Sequence, residues 1–192
     1  MKAKPYYVTA MPQLLALAAP GREDIIDAVA IQGPCTVPEI ARFVGRSHNS
    51  LYYHVRALRD CGLLVESVVQ REGVKTTSQY DLPGRPIIVK YNLTTARTRR
   101  AVVRLGRTRL RSGERGFVRA CDLEGAVVDG PHRNLWAAHW KGWLTDEDLA
   151  EANRLLIELV DVFRHGADAE GDRKPIELTF AIAPVGGRLT FD

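Results

Sequence analysis

Two sets of side chains recur at helical spacing within residues 47–62, SHNSLYYHVRALRDCG. Leu51, Val55 and Leu58 fall at i, i+4 and i+7 and make one narrow apolar face. Asn49, Ser50, Tyr53, Arg56 and Ala57 fall on the opposite face, with His54 at its flank. Amides, hydroxyls and a guanidinium on a slim helix can reach into a major groove, where they meet base edges and phosphates. Ser47 stands where an N-cap belongs, and Gly62 stands where a left-handed stop belongs. The candidate contacts on this helix are Ser47, His48, Asn49, Ser50, Tyr53, His54 and Arg56.

Such a helix needs neighbours that hold it. Just upstream, CTVPE places Thr36 three residues before Glu39, the spacing of a capping box. Ile40, Ala41 and Val44 supply a buried stripe for a short helix there, and Gly45 breaks it. Just downstream, residues 64–69 and 76–82 are β-prone runs separated by QREGVK, with Gly73 between Arg71 and Lys75. A hairpin with a basic tip suits contact with flanking phosphates or a minor groove, which adds Arg71 and Lys75 to the candidate DNA contacts. Capped helices and hairpins are each common, but this order and tight spacing predict a winged helix-turn-helix.

From LALAAPGREDIIDAVA through LRDCGLLVE, about the first half of the chain resembles the ArsR-type winged-helix transcriptional regulators. Leu17, Pro20, Arg22, Ile25 and Ile26 match that family's first-helix pattern. Leu51, His54, Val55, Leu58, Gly62 and Leu63 match its recognition-helix pattern. The LYYHVRAL version is similar to a subgroup with longer C-terminal regions, and the paired-cysteine motif of the metal-sensing branch is missing. The resemblance implies a dimeric repressor or activator and leaves the signal unspecified. Arg22 is carried as a further candidate DNA contact.

The charge is distributed to match. The chain's 192 residues carry a net +4, yet residues 91–120 hold nine arginines against Glu114 alone, while residues 121–192 hold 7 basic and 14 acidic side chains. Basic charge thus follows the winged helix, where a polyanion would be met, and the acidic C-terminal part should face away from it. A hydrophobic content of 45% argues against general disorder. No apolar run approaches the roughly 20 residues of a membrane span, and the N-terminus shows no export signal. Cys35, Cys61 and Cys121 are odd in number and far apart, which argues against a disulfide framework and fits a reducing cytoplasm.

PGRP at 83–86 is the clearest punctuation, and a domain boundary is expected near residue 90: 1–90 for DNA binding, 91–192 for dimerisation and effector binding. The arginine-rich segment from about Thr95 to Cys121 carries a stripe of Val102, Gly106, Leu110, Gly113, Phe117 and Ala120. Gly106 and Gly113 on that stripe suggest close approach of another backbone, as at a dimer interface; the arginines suit either a DNA contact or a solvated face. A second helix, LTDEDLAEANRLLIELVDVFRHG, has Thr145 as N-cap, acids in its first turn, and a stripe of Leu149, Ala152, Leu156, Leu159 and Phe163. Residues 176–184 alternate like a half-buried strand. Residues 134–144 fit a helix or a strand, and pairing with 176–184 favours the strand, giving a small β-α-β unit.

No phosphate loop, dinucleotide fingerprint or nucleophile motif occurs, so no enzyme and no cofactor are expected. His132, His139 and Asp129 suit structural roles better than a metal site, and no metal is expected. Trp136, Trp140 and Trp143 could line a pocket for a small-molecule effector, although core packing is the plainer reading. The expected fold is α+β: an N-terminal winged helix-turn-helix followed by a smaller, mainly helical α/β dimerisation and effector domain. The expected function is a cytoplasmic homodimer that binds double-stranded DNA sequence-specifically and regulates transcription, a repressor by operator occupancy. The rival readings are a non-specific chromosome-organising protein and a winged-helix protein-interaction module.

Overall fold

The computed structural model describes residues 4–69, 76–165 and 175–185. Chain order is β1 (Tyr6–Val8), α1 (Met11–Leu17), α2 (Arg22–Gln32), α3 (Val37–Val44), α4 (His48–Asp60), β2 (Val65–Val69), β3 (Thr77–Asp81), β4 (Ile87–Val89), α5 (Ala96–Ala120) and α6 (Asp146–His165). The architecture is α+β, with a helix-turn-helix near the N-terminus and a helical C-terminal region.

Helix α3 starts where Thr36 closes its capping box. The Glu39 carboxylate accepts from the Thr36 N–H at 2.7 Å and from the Thr36 hydroxyl at 2.8 Å, and the Glu39 N–H donates back to Thr36 Oγ1. Gly45 ends the helix in the left-handed region at φ 66°, which turns the chain sharply into α4. Leu51, Val55 and Leu58 of α4 are buried against Ile25 and Val29 of α2 and Ile40 of α3 in one core. Each such aliphatic side chain contributes about 1.5–3 kcal/mol by leaving water. Gly62 takes φ 77° just past the end of α4, as its position in the sequence requires.

Strands β2 and β3 pair antiparallel from Val65 opposite Asp81 to Val69 opposite Thr77, forming the wing. Two links seat the wing on the helices. Cys35 and Tyr80 exchange backbone hydrogen bonds at 3.1 and 2.8 Å, and Arg59 at the end of α4 donates to Glu66 at 2.8 Å. Strands β1 and β4, which periodicity did not reveal, pair in parallel with Tyr6 opposite Ile87. Buried Gln13 of α1 is satisfied by donating to Tyr6 Oη at 2.7 Å and to the Cys61 carbonyl at 3.0 Å.

Helix α5 opens on a second capping box, Thr95 with Thr98, and its 25 residues run about 37 Å. Ala101 and Leu105 are its buried residues, and Leu105 enters the same core as Leu14 and Leu17. Thr108 donates to the Ala18 carbonyl at 3.0 Å, and Arg109 pairs with Glu23 at 2.8 Å, which fixes α5 against the α1–α2 turn. The packing face of α5 is therefore Ala101–Leu105–Thr108, and the Val102–Gly106–Leu110 stripe lies beside it, largely open.

Beyond α5 the expected β-α-β unit is corrected. Neither residues 134–144 nor residues 175–185 form a strand. Asn134 closes a loop instead: its N–H donates to the Val127 carbonyl, its side-chain oxygen accepts from the Val127 N–H at 2.8 Å, and its side-chain NH₂ donates to the Gly125 carbonyl at 2.9 Å. Those bonds direct the loop's polar groups into a local turn. The 175–185 segment lies on α5 rather than in a sheet, with Thr179 against Gly113 and Glu177 against Gly116. The residues that meet α5 are thus the polar ones of the alternation, while Ile176, Leu178, Phe180 and Ile182 all stay exposed. Helix α6 begins as expected, with the Thr145 hydroxyl accepting from the Asp148 N–H at 3.1 Å.

Candidate nucleic-acid interface

Burying Leu51, Val55 and Leu58 rotates the other face of α4 to solvent. Asn49, Ser50, Tyr53 and Arg56 are all exposed, Tyr53 by 72%, and Ala57 is half-buried at the edge. Ser47 and His48 are exposed at the helix start. Ser47 occupies the N-cap position, but its side chain makes no capping bond; the Ser50 hydroxyl donates to the Ser47 carbonyl at 2.7 Å instead. The first-turn N–H groups of α4 are thus left uncapped by Ser47, at the end of a helix that favours anions.

A cationic corner flanks this face. Arg22, the first residue of α2, reaches back to the Ala16 carbonyl at 3.5 Å and holds its guanidinium 5.9 Å from the Tyr53 ring centre. The half-buried His54 imidazole sits near Arg22 and Arg46, and its pKa is lowered first by burial and then by these two cations. Arg22 Nε and His54 Nδ1 are buried without a hydrogen-bond partner among the described residues. Unsatisfied buried nitrogens are costly, so this corner is held at some expense to the fold.

Not every arginine near α4 is available. Arg59 is held by Asp60 at 2.9 Å and by Glu66, so it braces the wing. Arg56 has no acidic partner among the described residues and stays exposed. Arg71 and Lys75, the expected contacts at the wing tip, lie outside the described residues. Two residues were missed in the sequence. Arg46, in the turn between α3 and α4, lies 3.9 Å from Asp24 and against Gly21; its place directly before Ser47 was the available signal. Tyr52 is exposed and sets its ring edge-on to His48, but an aromatic residue next to Leu51 reads as core in a linear pattern.

The expected effector residues line neither the groove beside α5 nor the cleft on α6 among the described residues. Trp136, Trp140 and Trp143 are all exposed, and Trp136 lies under the Arg133 guanidinium at 4.6 Å. A small cleft of about 200 Å³ instead forms between α6 and the 175–185 segment, lined by Asn153, Leu156, Ile157, Val160, Phe180 and Ile182. The cysteines are free thiols, with Cys35 buried, Cys61 half-buried and Cys121 exposed. Burial pushes the Cys35 thiol up to about 11, so it stays protonated and unreactive at neutral pH.

With this geometry in hand, residues 17–68 match the family described as a helix-turn-helix domain. The match agrees with the helix pair α3 and α4 and the sharp turn at Gly45 between them. The matched span runs from the end of α1 through α4 into β2, so it contains the whole exposed face of α4 and the Arg22–His54–Arg46 corner. The chemistry of a helix-turn-helix is DNA binding rather than catalysis. No curated protein matches the chain. Among solved structures, the transcriptional regulator Tm0710 from Thermotoga maritima is 14% identical with a TM-score of 0.31, covering 77% of each chain. RV1404 from Mycobacterium tuberculosis is 15% identical with a TM-score of 0.25, covering 84% of this chain and 76% of that one. Likenesses this distant carry no weight in the functional argument. No helix among the described residues is long and apolar enough to cross a membrane.

Proposed function

We propose that the chain is a homodimeric transcriptional regulator that reads double-stranded DNA with α4 and acts as a repressor by occupying its operator in the cytoplasm. The observation that carries the reading is the exposed face of Asn49, Ser50, Tyr53 and Arg56 on a helix whose other face is locked in the core of a helix-turn-helix domain. A rigid helix presenting exposed donors and acceptors is what sequence readout requires. The resemblance of the first half to ArsR-type regulators supports the regulatory role.

Helix α6 supports the second copy. None of its side chains described here is buried, and Leu149, Leu155, Ile157, Leu159 and Val162 are exposed. An isolated 20-residue helix owes most of its stability to packing an apolar face, so α6 calls for a cover. In this reading residues 1–90 bind DNA and residues 91–192 form the dimer, placing two α4 helices in successive major grooves.

Sequence selection on the purified chain tests the proposal, followed by titration of the selected duplex with Asn49→Ala and Tyr53→Ala. Each variant should keep its fold, lose about 1–3 kcal/mol of specific binding and relax preference at one position. Binding with no sequence preference would replace the regulator by a non-specific chromosome-organising protein, and no DNA binding would leave a protein-interaction module.

A further inference from the structure

Helix α5 divides its nine arginines by role. Arg109 is spent on Glu23, and Arg99 donates to the Leu93 carbonyl at 2.9 Å. Arg100, Arg104, Arg107 and Arg111 recur at i, i+4, i+7 and i+11, which places them on one stripe about a third of a turn from the buried Ala101–Leu105 face. All four are exposed, and none has an acidic partner among the described residues. Like charges at i and i+4 repel by a few tenths of a kcal/mol per pair, so four together weaken the helix unless a polyanion meets them.

The stripe also has a wall. Arg100, Arg104, Arg107 and Arg111 line a groove of about 770 Å³ whose other side is Ala18 and Pro20 of the α1–α2 turn. That turn leads straight to the DNA-reading corner: Gly21 packs against the Arg46 guanidinium, and Arg22 lies by the Tyr53 ring. The groove therefore adjoins the corner at the start of α4 through Pro20, Gly21 and Arg22, with Asp24 and Glu23 engaged by Arg46 and Arg109. The 11-residue span of the stripe covers about 17 Å, against roughly 3.4 Å of axial rise per phosphate of one strand, so a run of several phosphates is within its reach.

We propose that this groove is a second DNA-backbone site, in which the four arginines of α5 hold phosphates of the duplex flanking the bases read by α4. The proposal rests on the DNA-binding reading above and extends it to residues outside the helix-turn-helix. The contact is electrostatic and carries no sequence information, so it lengthens the footprint and raises affinity without changing the preferred bases.

The test measures affinity of the full chain for its selected duplex, with long flanks, across a salt series. Arg104→Gln and Arg111→Gln should each reduce the slope of log affinity against log salt by about 0.9, and the fourfold Gln variant by about four times that. Preference among sequences should be unchanged, Arg104→Lys should keep the wild-type slope, and Arg119→Gln outside the groove should behave as wild type. The single variants keep the test decisive if the fourfold variant folds poorly, which circular dichroism reports. Wild-type slopes in the Gln variants, with sequence-specific binding intact, overturn this site and leave the DNA-reading function standing. Failure of the wild-type chain to bind any duplex overturns both. Saturable binding of inorganic pyrophosphate that the Gln variants abolish, with their DNA slope unchanged, overturns the DNA site in favour of a small phosphate ligand.

Discussion

Helices α4 and α6 are of similar amphipathic design and have opposite fates. Helix α4 buries Leu51, Val55 and Leu58 completely, whereas α6 leaves Leu149, Leu159 and Phe163 each more than a third exposed. The division holds along the chain: among the described residues none after Leu105 is buried. The difference teaches that the N-terminal half closes a core on its own apolar surface, and that the described residues of the C-terminal half leave theirs open. A repulsive arginine stripe and an uncovered apolar helix are both weaknesses in a lone chain, and in the proposed function both would be met, the first by DNA and the second by another copy.

The largest test of that contrast is a pair of truncations. Leu51→Ala should cost about 2–5 kcal/mol in denaturant unfolding, because it opens a cavity in a closed core. Leu159→Ala should leave the unfolding midpoint of dilute chain almost unchanged and instead shift the concentration at which sedimentation reports a dimer. Equal losses in both would break the contrast.

Next come the glycines of α5. A Cβ at Gly113 would lie 2.7 Å from Thr179 Cβ of the same chain, whereas nothing lies within 4 Å at Gly106. Gly113→Leu should therefore overpack the 175–185 segment and cost about 1–3 kcal/mol in thermal unfolding at any concentration. Gly106→Leu should stabilise the dilute chain by at most about 1 kcal/mol through helix propensity, and any loss should appear only in assembly, which sedimentation equilibrium reads.

The caps provide a smaller effect. Thr36→Ala should cost about 0.5–2 kcal/mol and lower the cooperative melting temperature of the winged helix. Thr145→Ala removes a comparable cap from α6, and its loss should appear as reduced helical ellipticity in dilute chain rather than as a shifted cooperative melt.

The smallest effect is the pH response of His54. Its pKa in the folded chain lies below the ordinary 6.5, so folding favours the neutral ring. Stability from this group is present above pH 6.5 and is lost as pH falls below that value toward the depressed folded pKa. His54→Gln should flatten unfolding free energy across that interval; an unaltered slope would mean that the ring is not held by the Arg22–Arg46 corner.

What was legible in the sequence was local. The Thr36–Glu39 box, the Gly45 and Gly62 stops and the α4 face are written in residues a few positions apart, and the β2–β3 pairing in residues 8 to 16 apart. Hydrogen bonds of that range depend little on the rest of the chain. The β1–β4 pair was not legible, because three-residue strands some eighty residues apart carry no periodic signal and form only after α1 to α4 bring them together. The strands expected at 134–144 and 176–184 were misread for a related reason: alternation separates two sides without telling what covers either, and in the second segment the polar Glu177 and Thr179 meet α5 while the apolar side stays exposed.

The sequence by itself determined the helix-turn-helix, its capped ends and the chemical character of the face that α4 presents, since side-chain period and capping chemistry act within a turn or two. Only the tertiary structure decided which arginines stay free. Nine guanidinium groups look alike in the chain, and it is the packing of Ala101 and Leu105 into the core that points Arg109 at Glu23 and leaves Arg100, Arg104, Arg107 and Arg111 facing a groove.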